Sequence, residues 1–282
     1  MFIYIQWEEF CRKLKEKKFI SIPAAIVLSE RENNKQSTKQ YIILKHDVEA
    51  NLQKALMLAQ IENKYLHKGS FYVQAYLLHH KKNIDILKQI QELGHEVTYH
   101  HDVMDSNKGD IVKATVEFQN NIEMFKHNGF SVKTVCQHGN PVIERVGYSS
   151  NRDFFRDVSI AKRYEHMTEM MVNFKSRLGK SYHYISDSGY GWKIIFDPEN
   201  NDVVKSNDKD TQLENLGDVI KLLKSGNSVI VSTHPHRWHS NIVVAQIINI
   251  LFKAIRIITI FLLKIPFMTK FMGRFYYLAK KI

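Results

Sequence analysis

The sequence is poor in cysteine, with only Cys11 and Cys136 among its 282 residues. Two cysteines cannot build a disulfide framework, and these two lack the paired spacing of a cysteine-based zinc site. Their scarcity indicates a reducing compartment. Internal repeats and low-complexity stretches are also absent, whereas 44% of the residues are hydrophobic. That fraction is sufficient for a large core, and the length suits a single α/β barrel.

The first residues lack the apolar segment of a secretory signal peptide, and they include two acidic residues, Glu8 and Glu9. The pattern therefore predicts no export by that route and a cytoplasmic protein. The same residues predict an amphipathic helix with one basic face. The opposite, apolar face would consist of four side chains, Trp7, Phe10, Cys11 and Leu14.

The segment 241–282 has no acidic side chain, and its seven basic ones supply +7 of the net charge of +11. A protein that binds nucleic acid more often spreads its basic groups over a folded face. We therefore predict no nucleic-acid partner. The charge asymmetry instead predicts two parts, a folded domain over residues 1–240 and a basic, apolar helical tail over 241–282.

No part of the tail is a long uncharged run. Only seven residues separate Arg256 from Lys264, whereas about 20 apolar residues are needed to span a bilayer. On a helix, the polar and basic side chains of 242–264 fall mainly on a narrow stripe, and most of the remaining surface is apolar. One interpretation is a helix in the interface of an anionic membrane. The other is a helix docked on the domain with its basic edge in water.

Strand and helix patterns alternate through the folded part. Six short apolar runs predict strands: Tyr41–Leu44, Ser70–Val73, Val97–Tyr99, Val132–Cys136, Tyr182–Ile185 and Val229–Ser232. Helical patterns fall at about 51–65, 83–93, 110–128, 151–157 and 212–225. This alternation predicts an α/β fold with a parallel sheet or a (β/α) barrel.

Polar motifs that contain His or Asp follow five of these strands. They are KHDVE (45–49), HHD (100–102), QHGNP (137–141), SDSGYGW (186–192) and THPHRWH (233–239). In such folds the C-terminal ends of parallel strands meet at one edge, where the chemistry gathers. Imidazoles and carboxylates together are ligands for Zn²⁺ or a similar divalent ion. We expect KHDVE to supply a base and a metal ligand. Alternatively, Asp47 caps the following helix and Glu49 favours its first turn.

In their order, the five motifs resemble those of the divergent polysaccharide deacetylases, a carbohydrate esterase group with the NodB-type fold. They span residues 41–238. The resemblance implies a distorted (β/α) barrel and the metal-dependent removal of an acyl group, usually N-acetyl, from a sugar. It implies that Asp47 is the catalytic base and that His234 is the general acid. It also implies that Glu49 and His100 are metal ligands.

The stretch around Asp187 and Trp192 is similar to the family motif that orients the acid and lines the substrate pocket. We assign Asp187, Trp192, Asn140 and Trp238 to substrate binding. Trp192 and Trp238 have two interpretations, because each ring either stacks on a sugar or packs in the core.

The sequence departs from the family pattern at the second ligand histidine, which usually lies four residues after the first. Met104 occupies that position, and a thioether is a poor ligand for such an ion. We expect His138 to be the third ligand because it follows another strand. His101 and Asp102 are the next candidates, although a strand neighbour of His100 points to the opposite face. The family's Arg-x-Pro motif is also replaced, by His-Gly-Asn-Pro.

These features together predict a metal-dependent hydrolase that deacetylates a sugar in surface-polysaccharide or lipid-linked glycan synthesis. The predicted metal is Zn²⁺, with Co²⁺ and Ni²⁺ as alternatives. The predicted partners are an N-acetylated glycan and an anionic membrane surface, which places the protein at the inner face of the membrane. A second hypothesis is a catalytically silent barrel that binds glycan or scaffolds a synthesis complex.

Overall fold

The computed structural model describes residues 2–34, 39–140, 143–200 and 209–262, with the backbone alone at 252, 253 and 255–262. Pro141 and the predicted tail beyond 262 lie outside the described residues. The helices of the described part are α1 (Tyr4–Glu16), α2 (Ala24–Asn33), α3 (Leu52–Lys64), α4 (Lys81–Glu92), α5 (Val103–Ser106), α6 (Ile111–His127), α7 (Asp153–Arg156), α8 (Val158–Arg163), α9 (Phe174–Leu178), α10 (Gly217–Lys224) and α11 (Ile242–Leu262).

The strands form one mostly parallel sheet. They are β1 (Ile42–Val48), β2 (Gly69–Val73), β3 (Glu96–His101), β4 (Thr134–Gln137), β5 (Thr168–Glu169), β6 (Tyr182–Ser186), β7 (Lys193–Ile195), β8 (Thr211–Gln212) and β9 (Ser228–Thr233). Their order is β5-β4-β3-β2-β1-β9-β6-β7-β8, and only the β6–β7 and β7–β8 pairs are antiparallel. The predicted α/β class, a distorted (β/α) barrel, is confirmed, and all six predicted strands are present.

Strand β1 lies at the centre of the sheet, with β2 on one side and β9 on the other. All seven of its residues are buried, including Lys45, His46 and Asp47. A strand covered on both faces normally consists of apolar residues, so these three polar side chains need partners inside the protein. The alternating directions of strand side chains put Lys45 and Asp47 on one face and His46 on the other.

The N-terminal helix α1 is confirmed together with its predicted apolar face. The side chains of that face pack against α3 and β1 in one core cluster: Trp7, Phe10, Cys11 and Leu14. Helix α3 is capped by Asn51, whose side-chain oxygen accepts from the Lys54 N–H. Asp47 is therefore not the cap of this helix, and it is available for another role.

None of the described helices is both long and apolar enough to cross a membrane. Helix α11 nevertheless carries several apolar side chains with more than two fifths of their area exposed, namely Ile242, Val243, Val244, Ile247, Ile250 and Leu251. Ala245 of the same helix is buried. At least the first turns of α11 therefore present an apolar surface to solvent.

Candidate metal centre

Three predicted ligands lie together at the C-terminal edge of the sheet. Glu49 follows β1, His100 is near the end of β3, and His138 follows β4. One ligand atom from each residue lies within 4.8 Å of the other two. The parallel pairing of β1, β2, β3 and β4 explains this geometry because it brings their C-terminal ends to the same edge.

A single carboxylate oxygen, Glu49 Oε1, lies among three imidazole nitrogens. It is 3.2 Å from His138 Nε2, 3.7 Å from His234 Nε2 and 3.9 Å from His100 Nε2. Burial opposes ionisation of Glu49, but the neighbouring histidines outweigh it and hold its pKa well below the usual range. The carboxylate is therefore ionised, and the arrangement concentrates one negative charge and several nitrogen donors in one place.

Two of these imidazoles present Nε2 towards Glu49, and a backbone contact orients one of them. His100 Nδ1 donates to the Cys136 carbonyl oxygen at 3.0 Å, which leaves Nε2 as the ligand atom. Burial lowers the His100 pKa, so the neutral ring is favoured. His138 Nε2 is buried and, among the described residues, has no hydrogen bond of good geometry despite its 3.2 Å approach to Glu49. A divalent cation would satisfy this nitrogen, so these donors fit a metal.

A second donor group shares His100 and adds Asp47 and Cys136, again within 4.8 Å. The ammonium of Lys45 decides between the two groups, since it lies 2.5 and 2.6 Å from the two Asp47 oxygens. Burial opposes both charges, but Asp47 raises the Lys45 pKa well above its usual value, and Lys45 lowers that of Asp47. Because the Asp47 charge is already balanced, a cation is better accommodated beside Glu49.

The predicted acid is held by a buried carboxylate. His234 Nδ1 lies 2.6 Å from Asp187 Oδ1, and the His234 backbone N–H donates to Asp187 Oδ2 at 2.8 Å. Arg237 Nη1 also donates to Asp187 Oδ1, at 2.9 Å. Burial opposes ionisation of Asp187, but Arg237 and His234 hold its pKa well below the usual range. An ionised Asp187 therefore fixes the orientation of the His234 ring.

The remaining predicted substrate residues are not at the surface of this cleft. Trp192 is 8% exposed and Trp238 is 1% exposed. Both rings pack with Phe2 and Trp7 under the N-terminal helix. This is the core-packing interpretation of the two tryptophans. Asn140 is also buried, and its backbone carbonyl accepts from Arg145.

His101, the first alternative ligand, points away from the cluster as the strand geometry predicts. Its ring is buried among aromatic side chains that include Phe118 and Phe155. Burial lowers its pKa to about 3. His101 therefore lies on the opposite face from His100, and the three-residue group described above does not need it.

The sequence reasoning missed the Lys45–Asp47 ion pair and a network around Asp105. Residues two apart on a strand share a face, so the KHD sequence already contained the signal for the first. The second network joins Asp105 to Arg145 and Asn151, which lie 40 and 46 residues away. A local sequence pattern cannot predict a contact between residues so far apart in the chain.

No protein-family model and no curated protein matches this chain. Solved structures similar to it include a family 4 carbohydrate esterase from Streptomyces lividans, with 13% identity, a TM-score of 0.41, and coverage of 71% of this chain and 81% of that one. A CE4 esterase from Streptococcus mutans has 13% identity, a TM-score of 0.43 and coverage of 84% and 88%. The catalytic domain of a peptidoglycan N-acetylglucosamine deacetylase from Eubacterium rectale has 16% identity, a TM-score of 0.42 and coverage of 76% and 84%.

The names of these structures belong to the group that the five sequence motifs resemble. Identity and TM-score are low in each case, so the function of this chain has to follow from its own side chains.

Proposed function

We propose that this protein is a metal-dependent hydrolase that removes an N-acetyl group from a sugar. The observation that carries the proposal is the position of Glu49 Oε1 among the Nε2 atoms of His100, His138 and His234. Glu49, His100 and His138 would hold the cation, most simply Zn²⁺, with Co²⁺ and Ni²⁺ as alternatives. A cation at this position supplies Lewis acidity towards an acyl oxygen and towards water.

Two side chains beside this group have the properties of a base and an acid. Asp47 is ionised and held by Lys45, so it accepts the proton of an attacking water. The water oxygen bonds to the acetyl carbon, and the bond from that carbon to the sugar nitrogen breaks. His234, whose ring is oriented by Asp187, donates a proton to the departing amine. The products are acetate and the free amino sugar.

The proposed base and the proposed acid must be in opposite protonation states at the same time. Asp47 acts ionised and His234 acts protonated, so we expect the rate to fall at both low and high pH. Arg237 supports the pair indirectly because it donates to Asp187, which in turn orients His234. The buried Asp187 is therefore a positioning residue in this proposal.

The proposed location is the inner face of a membrane, where surface-polysaccharide or lipid-linked glycan precursors are assembled. Two features support it. The first turns of α11 expose apolar side chains such as Ile247 and Ile250. The segment 241–282 has seven basic side chains and no acidic one. Apolar area next to basic groups is typical of a helix that lies in an anionic lipid interface.

Acetate release from N-acetylated sugar oligomers tests the catalytic proposal. Full-length protein is stripped with a chelator, reloaded with Zn²⁺, Co²⁺ or Ni²⁺, and assayed on a panel of oligomers. We expect acetate only from the reloaded protein, and a rate lower by ~10²–10⁴-fold for Asp47→Asn and for His234→Ala. The matched control is His166→Ala, since His166 is exposed and its ring lies beside Tyr164 rather than beside any of these residues.

Circular dichroism establishes that each variant is folded. Tight binding of an oligomer by the metal-loaded protein without acetate release would support the silent glycan-binding barrel instead. Full activity of His234→Ala would remove that residue from the mechanism while leaving the metal proposal in place.

A further inference from the structure

The third proposed ligand, His138, lies in an irregular segment after β4, where no helix or strand fixes it. Two main-chain hydrogen bonds hold it in place. Its N–H donates to the His101 carbonyl at 2.7 Å, and its carbonyl accepts from Asn151 Nδ2 at 2.8 Å. A ligand on a loop must be held to within about 0.5 Å of its binding position. The side chain of Asn151 is therefore part of what places His138.

Asn151 is fixed in turn by Asp105. Its Nδ2 also donates to Asp105 Oδ2 at 2.8 Å, and its Oδ1 accepts from the Asp105 backbone N–H at 2.9 Å. Asn151 is fully buried, and the Asp105 side chain is 1% exposed. A buried amide with both ends bonded to one residue has a single orientation.

The Asp105 carboxylate also holds Arg145, which contacts the loop at Asn140. Arg145 Nε donates to Asp105 Oδ1 at 2.8 Å, and Arg145 Nη2 donates to Oδ2 at 2.9 Å. Nη2 also reaches the Asn140 carbonyl at 3.0 Å. The carbonyls at 138 and 140 are thus held by two side chains that share one carboxylate, and Tyr148 Oη donates to that carboxylate as well.

Asp105 also lies close in the chain to another proposed ligand. It is in α5, the short helix that follows β3, five residues after His100. Its neighbour Met104 is buried and supplies no ligand of the expected kind. We infer that Asp105 is a positioning residue that sets His138 against His100 and Glu49 through Asn151 and Arg145. This inference rests on the metal site of the proposed function.

Metal affinity tests the inference. The Kd for Zn²⁺ and Co²⁺ is measured by competition with a chromophoric chelator on folded full-length protein, next to the urea unfolding of the metal-free form. We expect Asp105→Asn to weaken metal binding by about 10–100-fold, as is usual when a group that orients a ligand is lost. The Co²⁺ absorption bands should also shift, since the coordination geometry changes.

Asp153→Asn is the matched control. Asp153 accepts from the backbone N–H groups of Ser149 and Ser150 in the same segment, but it contacts neither His138 nor Asn140. We expect its metal Kd to stay within about twofold of the original protein. Arg145→Met serves as a second variant if Asp105→Asn does not fold, because Arg145 is partly exposed. Arg145→Met should weaken metal binding only severalfold, because the contacts of Asn151 with Asp105 and with the His138 carbonyl remain.

An Asp105→Asn protein that unfolds more easily when metal-free but binds metal with unchanged Kd would overturn the inference, because Asp105 would then be merely structural. Unchanged metal binding by a folded Arg145→Met protein would also count against it. Failure of the original protein to bind metal at all would overturn the proposed function and this inference together. The original protein is therefore measured first.

Discussion

At the scale of single residues, Lys45 controls the charge of Asp47. Its ammonium is completely buried and lies against both oxygens of Asp47 and, at 3.3 Å, Ser232 Oγ. Removing one partner of a buried pair leaves an uncompensated charge and costs about 3–5 kcal/mol. Lys45 therefore keeps Asp47 ionised, which favours the proposed role of Asp47 as a base over a role as a metal ligand.

This role predicts that Cys136 is not a metal ligand, although its sulfur belongs to the second donor group. We expect Cys136→Ser to bind Co²⁺ with a Kd within about threefold of the original protein, since thiolate is absent from the Glu49 group. The absorption spectrum of the Co²⁺-loaded original protein should lack the intense near-ultraviolet band of thiolate-to-cobalt charge transfer. A strong band that disappears in Cys136→Ser would assign the metal to Asp47, His100 and Cys136 instead.

A second set of buried polar residues lies on the opposite face of β1. Glu62 Oε1 accepts from Trp7 Nε1 at 3.0 Å and lies 2.7 Å from His46 Nε2. His95 Nδ1 accepts from the Gly69 N–H, and His95 Nε2 donates to the Ala59 carbonyl. Both His95 nitrogens are thus used by the neutral ring, and burial lowers its pKa to about 4 even though Glu62 opposes the shift.

Because the folded-state pKa of His95 is depressed, acid should destabilise the protein through this residue. As the pH falls below about 6.5, His95 becomes protonated in the unfolded chain, whereas in the folded protein it stays neutral down to about pH 4. Between pH 7 and pH 4 the original protein should lose on the order of 3 kcal/mol more unfolding free energy than His95→Gln. Urea unfolding in the presence of a chelator measures the difference. The exposed His127→Gln variant should keep the original pH dependence.

At the scale of elements, the close packing of β1, β2 and α3 leaves little space at the start of β2. A Cβ atom on Gly69 would lie 2.7 Å from the Leu44 carbonyl oxygen and 2.9 Å from Glu62 Oε2. Real Cβ atoms do not approach so closely, and the first of these atoms belongs to the backbone of a central strand. The glycine therefore permits the approach of strand and helix.

Gly69→Ala should destabilise the protein by about 1–3 kcal/mol, as overpacking of a core usually does. Gly191→Ala is the matched control, because a Cβ there would meet only Gln212 Oε1 at 3.9 Å. Urea unfolding of the three proteins under one condition measures the effect. Equal stability of Gly69→Ala and the original protein would show that β2 moves away at little cost.

At the scale of the whole molecule, charge and apolar surface are unevenly placed. The segment 241–282 supplies +7 of the net charge of +11, and α11 begins it with an exposed apolar surface. In our proposal the edge of the sheet carries the chemistry, and the basic, apolar segment contacts a lipid surface. Each basic group near an anionic surface contributes about 1 kcal/mol, and salt screens that part.

Sedimentation with anionic phospholipid vesicles tests the tail. Full-length protein should pellet with the vesicles, and truncation after residue 240 should leave it in the supernatant with its metal Kd unchanged. The Ile247→Glu/Ile250→Glu double variant should weaken binding at least ~10-fold, since it places two charges on the exposed apolar surface that would enter the lipid. Ile5→Glu, at a residue 68% exposed on α1, is the control and should bind normally.

High salt should detach the full-length protein only in part, because apolar insertion persists when charge is screened. If the full-length protein stays in the supernatant, α11 is a docked helix. Truncation should then lower the unfolding free energy of the domain.

Much of the fold follows from local patterns in the sequence. Alternating short apolar runs and helical periods gave six strands and their intervening helices, because each pattern depends on neighbouring residues only. The polar motifs could be placed on one edge for the same reason, since each directly follows a strand. The short strands β5, β7 and β8 were not predicted, because two or three residues carry too little pattern.

By itself, then, the sequence determined the α/β fold, the apolar face of α1 and the edge where Glu49, His100 and His138 lie. Only the tertiary structure decided what each polar side chain does there. Contacts across the sheet brought the Lys45–Asp47 pair beside His100 and Cys136, and they buried Trp238 in the core rather than in the cleft. These contacts depend on which side chains are adjacent across the sheet and on how completely they are buried from water. A local sequence pattern specifies neither the neighbours nor the burial.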